Sequence, residues 1–347
     1  MPVIMCPSIA RPEHHVDTET LLAHYADRYE GHPRLDDALR VMSATRVDSR
    51  AFATPLAELD RVDHGLDDRI HEHFERACQL AEAAARQALS AAGMEPADIS
   101  TLVCVSTTGY AMPGLDVALM DRLRLPANIT RIPVTQMGCN GGSWALARAA
   151  ERCTTPHHVA LVVAADLFLT WIHPDDTGMD AMIYRALMGD AAGACLVTGD
   201  DSTPGARIHT SWDYTVPGTS TIVSSHLHSD GLHLRNSPRL QDAVSAATQE
   251  MAIWLKQELA DRDAVDFLVS HPGGPRIMER LADGLGCDPA LLRHSWNSLR
   301  EIGNAGSVSI LDVLARTYAD PPRRGTQGLA IGVGPGVTVT ASRLTWQ

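Results

Sequence analysis

The chain has 347 residues, 45% of them hydrophobic and 20% charged, which suffices for one large core or two of medium size. Its net charge of −13 argues against a nucleic-acid-binding surface, and the lack of any apolar run of about 18 residues argues against a transmembrane helix. Seven scattered cysteines without a C-x-x-C pair give no disulfide framework and no zinc knuckle, and a start with no basic-then-apolar segment reads as mature and cytoplasmic.

In chain order, the first hundred residues read as mainly helical, most clearly over 74–92. Among them Arg40, Arg46 and Arg50 form a candidate basic patch for an anionic ligand, although their spacing alone favours solvated helix charges. The pattern then predicts a buried strand over 101–106, a helix over 115–125, a strand over 129–134 and a helix over 144–152. Strands follow at 158–165 and 193–198. Beyond the turn residues 202–205 come a long amphipathic helix over 239–261, a strand over 267–270, helices over 276–285 and 306–318, and strands over 329–333 and 337–342. This alternation predicts α/β layers with helices on the sheet faces. Two similar halves, 1–204 and 205–347, fit the pattern.

Cys139 lies in the run Gln136-Met137-Gly138-Cys139-Asn140-Gly141-Gly142-Ser143, between a predicted strand and a predicted helix. A thiol at a helix N-terminus meets free N–H groups and the positive dipole end, which stabilise the reactive thiolate. His271 directly follows the apolar run Phe267-Leu268-Val269-Ser270, so it projects from a strand end, where open α/β sheets bind ligands. Asn304 sits in Gly303-Asn304-Ala305-Gly306, just before a helix. Cys, His and Asn make a workable set: a nucleophile, a proton acceptor, and donors for a developing oxyanion. Gly332-Val333-Gly334-Pro335-Gly336 opens no helix and so fails as a dinucleotide fingerprint; it reads as a tight scaffold under the site. Pairs such as His71 with His73 and His226 with His228 lack a ligand spacing like H-E-x-x-H, and no metal site is expected.

Taken together, Thr107-Thr108-Gly109-Tyr110-Ala111-Met112-Pro113-Gly114, Gly138-Cys139, Ala186-Leu187-Met188-Gly189-Asp190, His271-Pro272-Gly273-Gly274-Pro275, Gly303-Asn304 and the glycine loop resemble the type III polyketide synthases. These are the chalcone synthase-like group of the thiolase superfamily. The resemblance implies a thiolase-like, duplicated α/β/α/β/α core. It implies an acyl-CoA starter loaded on Cys139 and extended by decarboxylative condensation with malonyl-CoA, with His271 and Asn304 as partners. Coenzyme A thioesters are then substrates, and no tightly bound cofactor is implied. Met112 matches a residue that reaches into the partner's cavity across a homodimer interface. Thr107, Leu167, Thr170, Met188, Leu232 and Gly306 fall at positions that shape the pocket or its entrance. Gly332, Gly334, Pro335 and Gly336 match the family's loop, with Val333 for its Phe. Met188 replaces a gating Phe, and Gly306 replaces a Ser, which implies a wider pocket floor. Thr107 replaces a cysteine frequent in naphthalene-forming relatives. The family's phosphate-binding lysines are not evident, so Arg40, Arg46 or Arg50 stand in for them. A single-condensation ketoacyl synthase is the nearest rival, but it carries a His-Gln-Ala-Asn run instead of His271-Pro272-Gly273-Gly274. A papain-like peptidase lacks support in the residues around Cys139.

Overall fold

The computed structural model describes residues 1–59, 65–172, 175–229, 231–259 and 265–347. Nine strands follow one another across a mixed sheet: Phe267–Ser270, Gln327–Gly334, Thr338–Trp346, Ala206–Thr215, Val3–Ile4, Ala191–Thr198, Val159–Asp166, Thr101–Val105 and Thr130–Val134. A tenth, Ser8–Ala10, pairs with Ala191–Thr198 beyond Val3–Ile4.

The order contains a repeat. Thr101–Val105 lies parallel to Val159–Asp166, which lies antiparallel to Ala191–Thr198. Likewise Phe267–Ser270 lies parallel to Gln327–Gly334, which lies antiparallel to Thr338–Trp346. The two sets join where Val3–Ile4 pairs with Ala206–Thr215. The strands Val159–Asp166 and Ala191–Thr198 are buried at every position, which is why they read as continuous apolar runs without alternation.

Helices cover both faces. The helices Gly141–Arg152 and Ser309–Ala319 touch strands of both sets and each other, and so form the middle layer. Leu66–Ala92 packs outside the first set, burying Ala77, Ala81, Ala84, Ala85 and Ala88 along one stripe. Leu240–Leu259 packs outside the second. The result is the layered α/β/α/β/α arrangement of two similar halves.

The N-terminal hundred residues are mainly helical as expected, through Thr18–Arg28, Leu35–Ser43 and Leu66–Ala92, but they also hold short strands that were not expected. Val3–Ile4, Ser8–Ala10, His14–Asp17 and Ser49–Phe52 are strands of two to four residues. Segments that short carry no readable period, and only their partners elsewhere in the chain make them strands. The helix predicted over 239–261 ends at Leu259, and its last predicted residues lie outside the described ones. No helix among the described residues is long and apolar enough to cross a membrane.

Candidate active site

Cys139 occupies the single turn Gly138–Asn140 that leads into the helix Gly141–Arg152. The glycine loop presses against this turn from the second half. A Cβ on Gly334 would stand 2.6 Å from the Met137 carbonyl oxygen and 2.7 Å from the Asn140 Cβ. A Cβ on Gly332 would stand 2.6 Å from Asn140 Oδ1. Only bare backbone fits so close, which gives the loop its supporting role. Asn140 completes the joint: its Oδ1 accepts from the Thr340 N–H at 3.1 Å.

His271 follows the strand Phe267–Ser270, and its backbone N–H donates to the Ile331 carbonyl at 2.9 Å. Asn304 is held at both backbone ends by the segment before it in space. Its N–H donates to the Leu187 carbonyl at 2.8 Å, and its carbonyl accepts from the Gly189 N–H at 3.1 Å. The orientation of its amide is fixed by Gly306, whose N–H donates to Asn304 Oδ1 at 2.9 Å. Oδ1 is therefore the acceptor end. Cys139 Sγ lies 3.7 Å from both Oδ1 and Nδ2, and His271 Nε2 lies 3.3 Å from Oδ1. Thiol, imidazole and amide meet at this one side chain.

Burial dominates the electrostatics of the site. It pushes the Cys139 thiol up to about 12, with the Asn304 hydrogen bond opposing, and the His271 imidazole down to about 4. Both groups are uncharged at neutral pH. This differs from the thiolate expected at a helix N-terminus: the half-buried thiol sits in the cavity wall, where desolvation outweighs the helix end.

These groups line a cavity of about 140 Å³, together with Thr107, Met188, Leu232, Gly334 and Pro335. Other residues singled out in the sequence lie outside its lining. Leu167 is fully buried and donates its N–H to Thr108 Oγ1 at 3.0 Å. Thr170 is buried beside it. Gly306 donates its N–H to Asn304 Oδ1, Gly332 packs against Asn140 and Ser143, and Gly336 has open space around it. Met112 is 98% exposed. Arg40 is exposed and paired with Asp37 at 3.1 Å, and Arg46 is exposed between Glu279 and the face of Trp296. Arg50, by contrast, is 0% exposed, its guanidinium donating to Thr18 Oγ1 at 2.6 Å, so it has no route to a ligand at the surface.

Two buried carboxylates escaped the sequence reading. Asp166, at the end of the strand Val159–Asp166, accepts from the Thr107 N–H at 2.7 Å, the Ser307 N–H at 2.8 Å and the Ser307 hydroxyl at 2.6 Å. It straps the Thr107 loop of the first half to the Asn304–Ser307 turn of the second. Burial raises its pKa against these hydrogen bonds. Asp190 accepts from the Ala53 N–H at 2.9 Å and the Phe168 N–H at 2.7 Å, and burial brings it to about 6. For Asp166 the available signal is an acid terminating an apolar strand run, whereas Asp190 stands in the Ala186–Asp190 motif without a sign of its burial.

Residues 57–201 match the family model described as chalcone and stilbene synthases, N-terminal domain, and residues 207–345 match the C-terminal domain of the same family. The chain is 31% identical to phloroglucinol synthase of Pseudomonas fluorescens over 350 residues, spanning 100% of this chain and 99% of that protein. It is 31% identical over 353 residues to 1,3,6,8-tetrahydroxynaphthalene synthase of Streptomyces coelicolor, spanning 100% and 93%. The solved structure of the 1,3,6,8-tetrahydroxynaphthalene synthase from Streptomyces coelicolor A3(2), a bacterial type III polyketide synthase, superposes with a TM-score of 0.95 at 30% identity, over 99% of each chain. Germicidin synthase of the same species superposes with a TM-score of 0.93 at 28% identity, over 100% of this chain and 99% of that one.

Proposed function

The chain belongs to the chalcone and stilbene synthase family and is a type III polyketide synthase, and we propose that Cys139 carries its growing chain while His271 and Asn304 hold the extender's thioester oxygen. The observation that carries this reading is the meeting of thiol, imidazole and amide at Asn304 inside a largely apolar cavity. In the loading step the Cys139 sulfur attacks the starter's thioester carbonyl. The bond to the coenzyme A sulfur breaks, and coenzyme A leaves as the thiol, carrying the proton that Cys139 loses, while His271 keeps its Nε2–H.

Malonyl-CoA then enters. As its carboxylate departs as carbon dioxide, the electron pair of the broken bond moves onto the thioester oxygen. Asn304 Nδ2 and His271 Nε2–H donate to that oxygen where its charge develops. The enolate carbon attacks the acyl-cysteine, a carbon–carbon bond forms, and the Cys139 sulfur is released to accept the lengthened chain. Low polarity around the site strengthens both donors and keeps water from the acyl-enzyme.

Arg40 and Arg46 are the exposed cations of the sequence patch that are free to meet coenzyme A phosphates after exchanging their acidic partners. The exposed apolar side chain of Met112, two residues from Tyr110 in the cavity wall, supports a two-fold contact in which one subunit's Met112 faces its partner's cavity. The meeting of the two family matches between 201 and 207 supports a boundary at 204/205. Seven unpaired cysteines support a reducing compartment such as the cytoplasm.

The test is incubation with malonyl-CoA, alone and with a panel of acyl-CoA starters, read by mass spectrometry beside Cys139→Ala. Products of more than one condensation that vanish in the variant, while some malonyl-CoA decarboxylation persists, are expected. Multi-condensation products that survive in Cys139→Ala would overturn the assignment of the nucleophile.

A further inference from the structure

Tyr184 and Asn236 form a hydrogen-bonded pair in the cavity wall, which also carries Thr107, Thr108, Tyr110, Ser224, Ser225 and the proposed trio. Tyr184 comes from the helix Met179–Leu187 and Asn236 from the end of the strand Gly231–Asn236. The Tyr184 hydroxyl donates to Asn236 Oδ1 at 2.8 Å. Burial raises the phenol's pKa, and the nearby Cys139 sulfur raises it further, so the hydroxyl keeps its proton. The Asn236 backbone N–H donates to Asp180 Oδ2 at 3.2 Å, pinning the strand end to the same helix. With Oδ1 committed to the phenol, the two Nδ2 protons are left without a protein acceptor among the described residues. Asn236 lines a chamber whose wall includes Phe168, Leu232 and Leu234 beside the hydroxyls of Ser224 and Ser225.

An amide donor held this way in a mostly apolar wall is a site for a carbonyl oxygen, because low local polarity strengthens the hydrogen bond it offers. Resting on the polyketide synthase reading, we propose that Asn236, oriented by Tyr184, binds a keto oxygen of a short poly-β-ketone attached to Cys139 and so sets how the chain folds before ring closure. The chamber's size fits a short chain. At about 140 Å³ it matches the roughly 150 Å³ cavities known to hold one benzene. The favoured product is therefore a single six-membered ring.

Asn236→Asp isolates the donor, since the carboxylate still accepts from Tyr184 but offers no N–H. Tyr184→Phe frees the amide to rotate. The readout is the ratio of carbocyclic product to lactone shunt, per malonyl-CoA consumed. The lactone arises when an enol oxygen attacks the chain's own thioester: a carbon–oxygen bond forms, the carbon–sulfur bond breaks, and the enol proton ends on Cys139. In Asn236→Asp the ratio is expected to shift toward lactone by about fivefold, the worth of one hydrogen bond, and in Tyr184→Phe by less. An unchanged ratio in folded Asn236→Asp would overturn the subsite, as would bicyclic products dominating in the wild type. If Asn236→Asp is misfolded by thermal melting, Tyr184→Phe decides, and an unchanged ratio there also overturns it. Intact-mass detection of an acyl adduct on wild-type Cys139 keeps the cases apart: no adduct defeats the underlying function, whereas an adduct with an unaltered ratio defeats only the subsite.

Discussion

Replacing Gly306 by serine distinguishes two reasons for a glycine beneath Asn304. By resemblance alone, a serine there narrows the pocket floor and shortens the product. The structure gives a different reason. Gly306 has φ +59, and a Cβ on it would lie 2.5 Å from Asp166 Oδ2 and 2.7 Å from Phe168 Cε2. A left-handed conformation costs a non-glycine residue about 1–2 kcal/mol, and overpacking a tight site costs about 1–3 kcal/mol, so a loss of roughly 2–5 kcal/mol is expected. At about 2.1 cal/mol/K per residue, a chain of this length has an unfolding entropy near 0.7 kcal/mol/K, so the melting temperature falls by about 3–7 °C. Activity falls as well, because the Gly306 N–H sets the Asn304 amide, and displacement of an active-site group by a fraction of an ångström costs on the order of tenfold in rate. Scanning calorimetry and malonyl-CoA decarboxylation measure the two effects. A serine variant that melts within a degree of wild type and makes a shorter product at full rate would refute this account.

Asp166→Asn replaces one acceptor oxygen by an amide facing N–H donors, and losing hydrogen bonds to a charged group predicts about 2–4 kcal/mol of destabilisation in urea titration. An unmoved urea midpoint would remove the strap between the halves. His271 has a depressed pKa, so its contribution to stability is complete above the unfolded value of about 6.5 and is lost as pH falls toward 4. Between pH 7 and pH 5 wild type should lose about 2 kcal/mol relative to His271→Gln, and parallel stability–pH curves would show that the imidazole is not neutral when buried. Met188 lines the cavity and its backbone bridges to Asn304, so Met188→Phe should narrow the chamber and lower turnover of bulky starters more than small ones. An identical starter profile would take Met188 out of substrate selection.

The proposed trio was legible because Cys139 and Asn304 directly follow glycines and His271 stands two residues before Gly273, each at the end of an element, where local sequence decides geometry. The central strands were legible because burial on both faces leaves an unbroken apolar run, as in Val159–Asp166. Other features depend on contacts distant in sequence. Val3–Ile4 is a strand only because Ala206–Thr215 and Ala191–Thr198 flank it. The hairpin Val223–His228 with Gly231–Asn236 mixes histidines and serines with leucines because one face meets the cavity and the other solvent, which hid it from a search for apolar runs. Asp166, and the pairing of Tyr184 with Asn236, carry no local mark: residues 141 and 52 positions away decide what each does.

The internal repeat has a consequence for how labour is divided at the site. Thr107 follows the strand Thr101–Val105 as His271 follows Phe267–Ser270, and Cys139 precedes one middle helix as Asn304 precedes the other. Equivalent corners of two copies thus converge on a single chamber. In the proposed chemistry one copy supplies the atom that becomes covalently attached, and the other supplies the groups that stabilise charge. On that proposal neither set alone completes a condensation, and the repeated arrangement works as a partnership of two unlike halves whose shared workplace is the seam between them.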